Sequence, residues 1–209
     1  SARHGSRCPI CLEEWDVNAP SVFLSCCCGK VCQSCTGKIG SDACPLCRLP
    51  RGTGAENLAR IRRHVENEVP ESITALGSAY RYGDFGLAKS DKKAAKIYRR
   101  GAELGDVNSM IELARMYRNG SGVKLDTKKA ARLYRMAADR GDAIGQASLG
   151  CYLYSEKRFE EAFRYYALAA DQGFTNGEYN LGICYMRGDG TEVDLGKARY
   201  WFERAAAKG

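Results

Sequence analysis

A short pattern that recurs four times over the C-terminal two thirds of the chain constrains the fold more than any other feature. Each copy contains a leucine followed by Gly or Ala, and the four leucines are 37, 36 and 32 residues apart. They are Leu76, Leu113, Leu149 and Leu181. A period of about 20 to 50 residues is the signature of stacked repeat units, each too small to bury its own apolar face. The sequence therefore predicts a repeat array from residue 71 onward.

Each copy has the pattern of two helices joined by a turn. The first helix carries the Leu-Gly or Leu-Ala pair, and the second carries a charged residue before Ala, then a tyrosine, then two small residues. We assign the second-helix tyrosines as Tyr98, Tyr134, Tyr165 and Tyr200. A glycine suited to a left-handed C-cap closes each copy. These are Gly105, Gly141, Gly173 and Gly209. Small residues let the paired helices approach closely, and tyrosines and leucines fill the layer between them.

The repeat resembles the Sel-1-like repeat, a relative of the tetratricopeptide repeat. The most specific stretch is Gly-Ser-Gly-Val-Lys-Leu-Asp-Thr-Lys-Lys-Ala-Ala-Arg-Leu-Tyr-Arg-Met-Ala-Ala-Asp-Arg-Gly-Asp, residues 120–142. We place four repeats at 71–106, 107–142, 143–174 and 175–209. The third is shorter because its turn, Tyr154 to Arg158, lacks glycines. The resemblance implies a scaffold that binds a protein substrate or partner on the repeats.

Cysteines dominate the other end of the chain, where nine of the eleven lie between Cys8 and Cys47. Eight of them form four close pairs, and Cys27 is a ninth sulfur. The pairs are Cys8 and Cys11, Cys26 and Cys28, Cys32 and Cys35, and Cys44 and Cys47. Such spacing suits zinc in a reducing compartment better than disulfides, which favours a cytoplasmic or nuclear protein. Four pairs supply the eight ligands that two tetrahedral, structural zinc ions need. The spacing alone leaves open which pairs share an ion.

Residues 8–48 resemble a RING domain of the all-cysteine kind. The motifs are Cys-Pro-Ile-Cys, Cys-Cys-Cys-Gly-Lys-Val-Cys-Gln-Ser-Cys and Cys-Pro-Leu-Cys-Arg. The resemblance implies interleaved pairs, in which Cys8, Cys11, Cys32 and Cys35 hold one zinc and Cys26, Cys28, Cys44 and Cys47 hold the other. Cys28 stands where His is common, so either Cys26 or Cys27 can be its partner. We favour Cys26, because a one-residue gap opens the angle between the thiolates.

RING domains that act as ubiquitin ligases dock a ubiquitin-conjugating enzyme, and the resemblance implies the docking residues. Ile10, Ile39, Pro45 and Leu46 occupy the positions that form the docking groove in the family. Arg48 follows the last cysteine, where a linchpin arginine bridges ubiquitin and the conjugating enzyme. The alternative for the apolar residues is packing in a small core, and for Arg48 it is a solvated linker charge. The expected activity is that of a ubiquitin ligase, which acts by positioning the charged conjugating enzyme. The alternative hypothesis is a non-catalytic scaffold.

Between the two parts, residues 51–70 read as a linker and a connecting helix. Leu58, Ile61 and Val65 recur at helical spacing within residues 55–68, which predicts that this helix docks on the first repeat. Its arginines suggest the alternative of a basic recognition helix. The predicted fold class is thus a small zinc-stapled RING cross-brace, residues 1–50, followed by an all-α helical-hairpin repeat solenoid.

Charge and motif content exclude several function classes. The formal charge is +7, but eight zinc-bound thiolates and two Zn²⁺ would bring the N-terminal part close to neutral, which disfavours nucleic-acid binding. The sequence has no run of about 18 apolar residues, so it predicts no membrane span. The sequence contains no P-loop, G-x-S-x-G or H-E-x-x-H motif that would indicate direct catalysis. The remaining cysteines, Cys151 and Cys184, are predicted to be buried in the repeat core.

Overall fold

The computed structural model describes the backbone of two short strands and, with side chains, residues 53–208. Strands β1 (Ser21–Leu24) and β2 (Gly29–Cys32) pair antiparallel, with Ser21 opposite Cys32 and Leu24 opposite Gly29. The chain divides into two compact units, residues 1–109 and 110–209. The described helices are α1 (Gly54–Glu66), α2 (Pro70–Tyr82), α3 (Asp91–Glu103), α4 (Val107–Asn119), α5 (Thr127–Ala138), α6 (Ala143–Ser155), α7 (Phe159–Asp171), α8 (Thr175–Arg187) and α9 (Leu195–Ala206).

The predicted helical-hairpin repeat solenoid is confirmed. From α2 onward the helices alternate as first and second members of a repeat, and each is 12 or 13 residues long. The cysteine-rich part of the fold prediction lies outside the residues whose side chains the structure describes. Within the described residues, no helix is both long enough and apolar enough to cross a bilayer.

Carboxylates at the N-termini set where the helices begin. Asp126 accepts a hydrogen bond from the backbone N–H of Lys129 at 2.9 Å, and Asp194 does the same for Lys197 at 2.9 Å. These bonds lower the pKa of both carboxyl groups. Each cap satisfies one of the backbone donors that the first helical turn leaves unpaired. The second helices of repeats two and four therefore start at equivalent positions.

In the first unit, α1 packs on the first repeat as predicted. Leu58 and Ile61 are buried in one cluster with Leu76, and Val65 packs against it. An ion pair joins Glu68 to Arg100 at 3.2 Å. The apolar face of α1 is thus buried against the first repeat, which disfavours the alternative of a basic recognition helix.

In the second unit, close helix contacts depend on residues without a side chain. A Cβ at Gly150 would lie 2.7 Å from Cε1 of Tyr166, and one at Gly177 would lie 2.7 Å from Cβ of Ala169. Both distances are shorter than van der Waals contact. Gly150 therefore allows α6 and α7 to pack closely within repeat three. Gly177 likewise allows α8 to pack closely on α7 of the preceding repeat. The predicted role of small residues is confirmed.

The tyrosine register of the second helices was predicted wrongly in two repeats. Counting from the buried alanine of each second helix, the residue equivalent to Tyr98 and Tyr134 is Tyr166 in repeat three and Phe202 in repeat four. Tyr166 is 3% exposed, whereas Tyr200 is 52% exposed. Adjacent aromatic residues (Tyr165 with Tyr166, and Tyr200 to Phe202) made the choice ambiguous in sequence. The helical phase relative to the alanine resolves it.

Candidate protein-binding surface

The residues predicted to bind zinc and a conjugating enzyme fall in the part of the chain without described side chains. They are Cys8, Cys11, Cys26, Cys28, Cys32, Cys35, Cys44, Cys47, Ile10, Ile39, Pro45, Leu46 and Arg48. Only the backbone of Cys32 is described, at the end of β2. These assignments remain predictions.

The two cysteines of the repeats differ from each other. Cys184 is buried, as predicted, and burial raises the pKa of its thiol to about 11. Cys151 is exposed, so its predicted core position is wrong. It follows Gly150 on α6 and lies one residue beyond the contact with the Tyr166 ring, on the side of the helix that faces a cavity. A cysteine is small and apolar enough to suit a core, which is why sequence alone misplaced it.

A cavity of about 220 Å³ lies between α5 and α6 and the end of α4. Its walls combine small side chains with polar and charged ones. They include Arg118, Thr127, Tyr134, Ser148, Cys151 and Glu156. Tyr134 is only 2% exposed, and its hydroxyl has no hydrogen-bond partner. A buried hydroxyl in this state is costly unless a ligand or water satisfies it.

A second groove lies on the last repeat, between α8 and α9. Tyr179, Ile183, Met186 and Phe202 line it, and Tyr179 is 54% exposed. Ala205 and Ala206 also line it, and their equivalents in repeat three, Ala169 and Ala170, are fully buried beneath α8. The groove is therefore the stacking surface of a repeat hairpin, and within the described residues no further hairpin packs on it.

Basic side chains lie over tyrosine rings at equivalent places in three repeats. The Nζ atom of Lys129 is 5.5 Å from the ring centroid of Tyr117, and that of Lys197 is 5.2 Å from the centroid of Tyr185. In the first repeat Lys93 lies 5.3 Å from Tyr80. Cation–π contacts at exposed sites contribute about 0.5–1 kcal/mol each. Each contact holds a lysine of the second helix against a tyrosine of the first helix within its own repeat.

In repeats three and four a buried polar residue of the first helix pairs with a polar residue just beyond the second helix, and sequence analysis missed these pairs. Gln172 donates to Gln146 at 2.7 Å, and at the equivalent positions Lys208 donates to Glu178 at 2.8 Å. Glu178 is fully buried and also pairs with Arg204 at 2.9 Å. The available signal was a carboxylate three residues before the buried Leu181, on the core face of the helix.

Comparison with known proteins identifies the family of the repeats. The model of the Sel1 repeat matches residues 70–106, 107–142, 143–174 and 175–209. The chain is similar to the solved structure of a Sel1 repeat protein from Oxalobacter formigenes, with 26% identity and a TM-score of 0.67 over 74% of this chain and 65% of that one. It also shares the fold of a protective antigen of uropathogenic Escherichia coli that displays an SLR fold. That match has 23% identity and a TM-score of 0.56, over 77% of this chain and 43% of the antigen.

The chain spans less than two thirds of the length of each of these two proteins. No curated protein matches it. The four matched segments cover well over half of the 209 residues, and their helices, glycine contacts and turns are those of a helical-hairpin repeat array. The protein therefore belongs to the Sel1 repeat family.

Proposed function

We propose that this protein is a ubiquitin ligase in which the N-terminal RING-like module docks a charged conjugating enzyme and the Sel1 repeats hold the substrate. The observation that carries the proposal is the presence, in one chain, of four RING-spaced cysteine pairs and a four-repeat protein-binding array. Holding two reactants in one geometry accelerates transfer without any covalent chemistry by the ligase itself.

The donor set of the proposed module fits zinc. Eight thiolates in four close pairs satisfy two tetrahedral ions and leave no ligand position open, which suits a structural role. A module of about 45 residues buries too little apolar surface to fold on its core alone, so metal binding would supply much of its stability. Between β1 and β2 the sequence is Ser-Cys-Cys-Cys, and a strand pair around two proposed ligands is compatible with this arrangement.

Replacing Cys44 with serine is expected to lower the zinc content and unfold residues 1–50, while the repeats stay helical. The reason is that loss of one thiolate weakens the site on which the fold of the module depends. Zinc per chain is measured by atomic emission, and helicity by circular dichroism. Cys151→Ser is the matched control, since Cys151 lies outside the cluster and should leave zinc content unchanged. Equal zinc content in wild type and Cys44→Ser refutes the ligand assignment.

Autoubiquitination with a panel of conjugating enzymes tests the ligase activity. The purified chain is expected to form ubiquitin chains with at least one of them, and Arg48→Ala should reduce the rate at least about tenfold by loosening the reactive pose. Arg51→Ala is the control, because it removes an arginine three residues further along the linker.

The second candidate function is a scaffold that binds partners without ubiquitin transfer. It is favoured by the repeat array, whose family assignment does not depend on the N-terminal module. Under this alternative no conjugating enzyme supports chain formation, and stable complexes with partner proteins survive Ile10→Ala. Chains that form in wild type and are lost in Arg48→Ala argue against it.

A further inference from the structure

The cavity around Tyr134 differs from the equivalent place in every other repeat. In the first repeat the Tyr98 hydroxyl lies 2.9 Å from Oγ of Ser78. In the third, burial and the neighbouring Cys151 thiol raise the pKa of Tyr166. In the fourth the aromatic residue is Phe202, which has no hydroxyl to satisfy. Only Tyr134, among these four, has a buried hydroxyl without a partner.

Two neighbouring residues explain the exception. Ala114 stands in repeat two where the other repeats have Gly77, Gly150 and Gly182. A Cβ at Gly77 would lie 2.5 Å from Cε1 of Tyr98, so repeat two, which carries that Cβ, cannot reproduce the contact unchanged. Arg115 stands where repeat one has Ser78, and its guanidinium pairs with Glu112 at 2.6 Å. Repeat two thus lacks the glycine against which the Tyr98 ring packs and the serine that hydrogen-bonds the Tyr98 hydroxyl.

Charges around the hydroxyl favour a ligand atom that accepts a hydrogen bond. Burial raises the pKa of Tyr134, and Arg118 and Arg115 oppose that shift more strongly than any other charged groups nearby. The Ser148 hydroxyl also moderates the pKa but does not lie in hydrogen-bonding geometry. Because Arg115 is paired with Glu112, Arg118 is the cation left to act on an incoming group. These guanidinium groups therefore favour an incoming oxygen atom that accepts the hydrogen bond of the hydroxyl.

The cavity as a whole nevertheless suits a neutral group. Glu156 lines it together with Arg118, so a buried carboxylate would be desolvated near a like charge. A primary carboxamide offers an oxygen to accept from Tyr134 and an NH₂ group to donate to Glu156. The array already buries one such group, since the Gln146 carboxamide is bonded to that of Gln172. A volume of about 220 Å³ accommodates one side chain of this size.

We propose that this cavity is a binding subsite for the side chain of an asparagine or glutamine in a partner protein. The carboxamide oxygen accepts the hydrogen bond of the Tyr134 hydroxyl, and Arg118 and Glu156, which both line the cavity, supply the charged groups of the subsite. The proposal rests on the protein-binding role of the repeats and is independent of ubiquitin transfer. It gives the array one specificity determinant within its second unit.

Cys151 allows a direct test, because it is exposed, lines the cavity and can capture a probe by thiol–disulfide exchange. The Cys151 thiolate displaces one half of a symmetric disulfide, forms a mixed disulfide, and releases the other half as a thiol. The probes are the disulfides of 3-mercaptopropionamide, 3-mercaptopropionate and cysteamine, each equilibrated with the full-length protein in a glutathione thiol–disulfide buffer. Peptide mass spectrometry measures occupancy at Cys151, and glutathione in the same mixture serves as the reference thiol.

The amide probe is expected to exceed the carboxylate probe at Cys151 by about fivefold relative to glutathione, the factor of one net hydrogen bond. Tyr134→Phe should abolish this preference and melt no lower than wild type, since Phe202 is accepted at the same place in repeat four. Wild-type protein without an amide preference, or with a preference for the carboxylate, overturns the proposal. So does an amide preference that survives in Tyr134→Phe. None of these outcomes bears on ubiquitin chain formation, which is measured separately.

Discussion

Replacing Gly190 with alanine is expected to lower the free energy of unfolding of the second unit by about 3 kcal/mol. Gly190 has φ +75°, a conformation that L-residues adopt at a cost, and its added Cβ would lie 2.4 Å from the carbonyl oxygen of Phe159. That atom belongs to the backbone at the start of α7, so no side-chain rotation can relieve the overlap. Urea unfolding followed by circular dichroism at 222 nm measures the change.

Gly141→Ala separates the two causes. Gly141 has φ +82°, but a Cβ there would meet nothing within 4 Å. Its substitution should therefore show the conformational cost alone, about 1 kcal/mol. The remaining difference of about 2 kcal/mol reports how closely the turn of repeat four is packed on repeat three. Equal effects of the two substitutions would mean that this packing contact is absent in solution.

The repeat array could be predicted from sequence because its main signals are local. Leu-Gly and Ala-Ala pairs recur at a fixed phase, and a helical hairpin follows from that phase without knowledge of distant contacts. The turn of repeat three shows where such reasoning ends. It has no glycine, and the structure places Lys157 in the left-handed conformation instead, with φ 60°. A non-glycine residue in that role leaves little trace in composition.

The features that distinguish one repeat from the next were less predictable. Tyr165 and Tyr200 were chosen over Tyr166 and Phe202 because adjacent aromatic residues satisfy the same loose pattern. The unpaired hydroxyl of Tyr134 depends on Ala114, twenty residues earlier, and on the absence of a partner, which no single-residue signal conveys. The zinc and docking residues are a different case, since their prediction rests on cysteine spacing and family resemblance.

The buried carboxylate of Glu178 is expected to make a coupled pair with Lys208. Either single substitution, Glu178→Gln or Lys208→Gln, should destabilise the second unit by about 2 kcal/mol, because each removes a charge-assisted hydrogen bond from a fully buried group. The double substitution should cost about 2 kcal/mol as well, rather than about 4, since it recreates at these positions the Gln146–Gln172 pair of repeat three.

Urea unfolding of the four proteins in this cycle gives the coupling energy directly. Arg204 also pairs with Glu178 and is partly exposed, so it can turn to water when the carboxylate is neutralised and should not oppose the recovery. Strict additivity of the two substitutions would contradict a direct pair. The first repeat carries the apolar residues Ile73 and Leu104 at the same two positions. One pair of positions is thus filled by matched chemistry in repeats one, three and four, which is the relation the cycle measures.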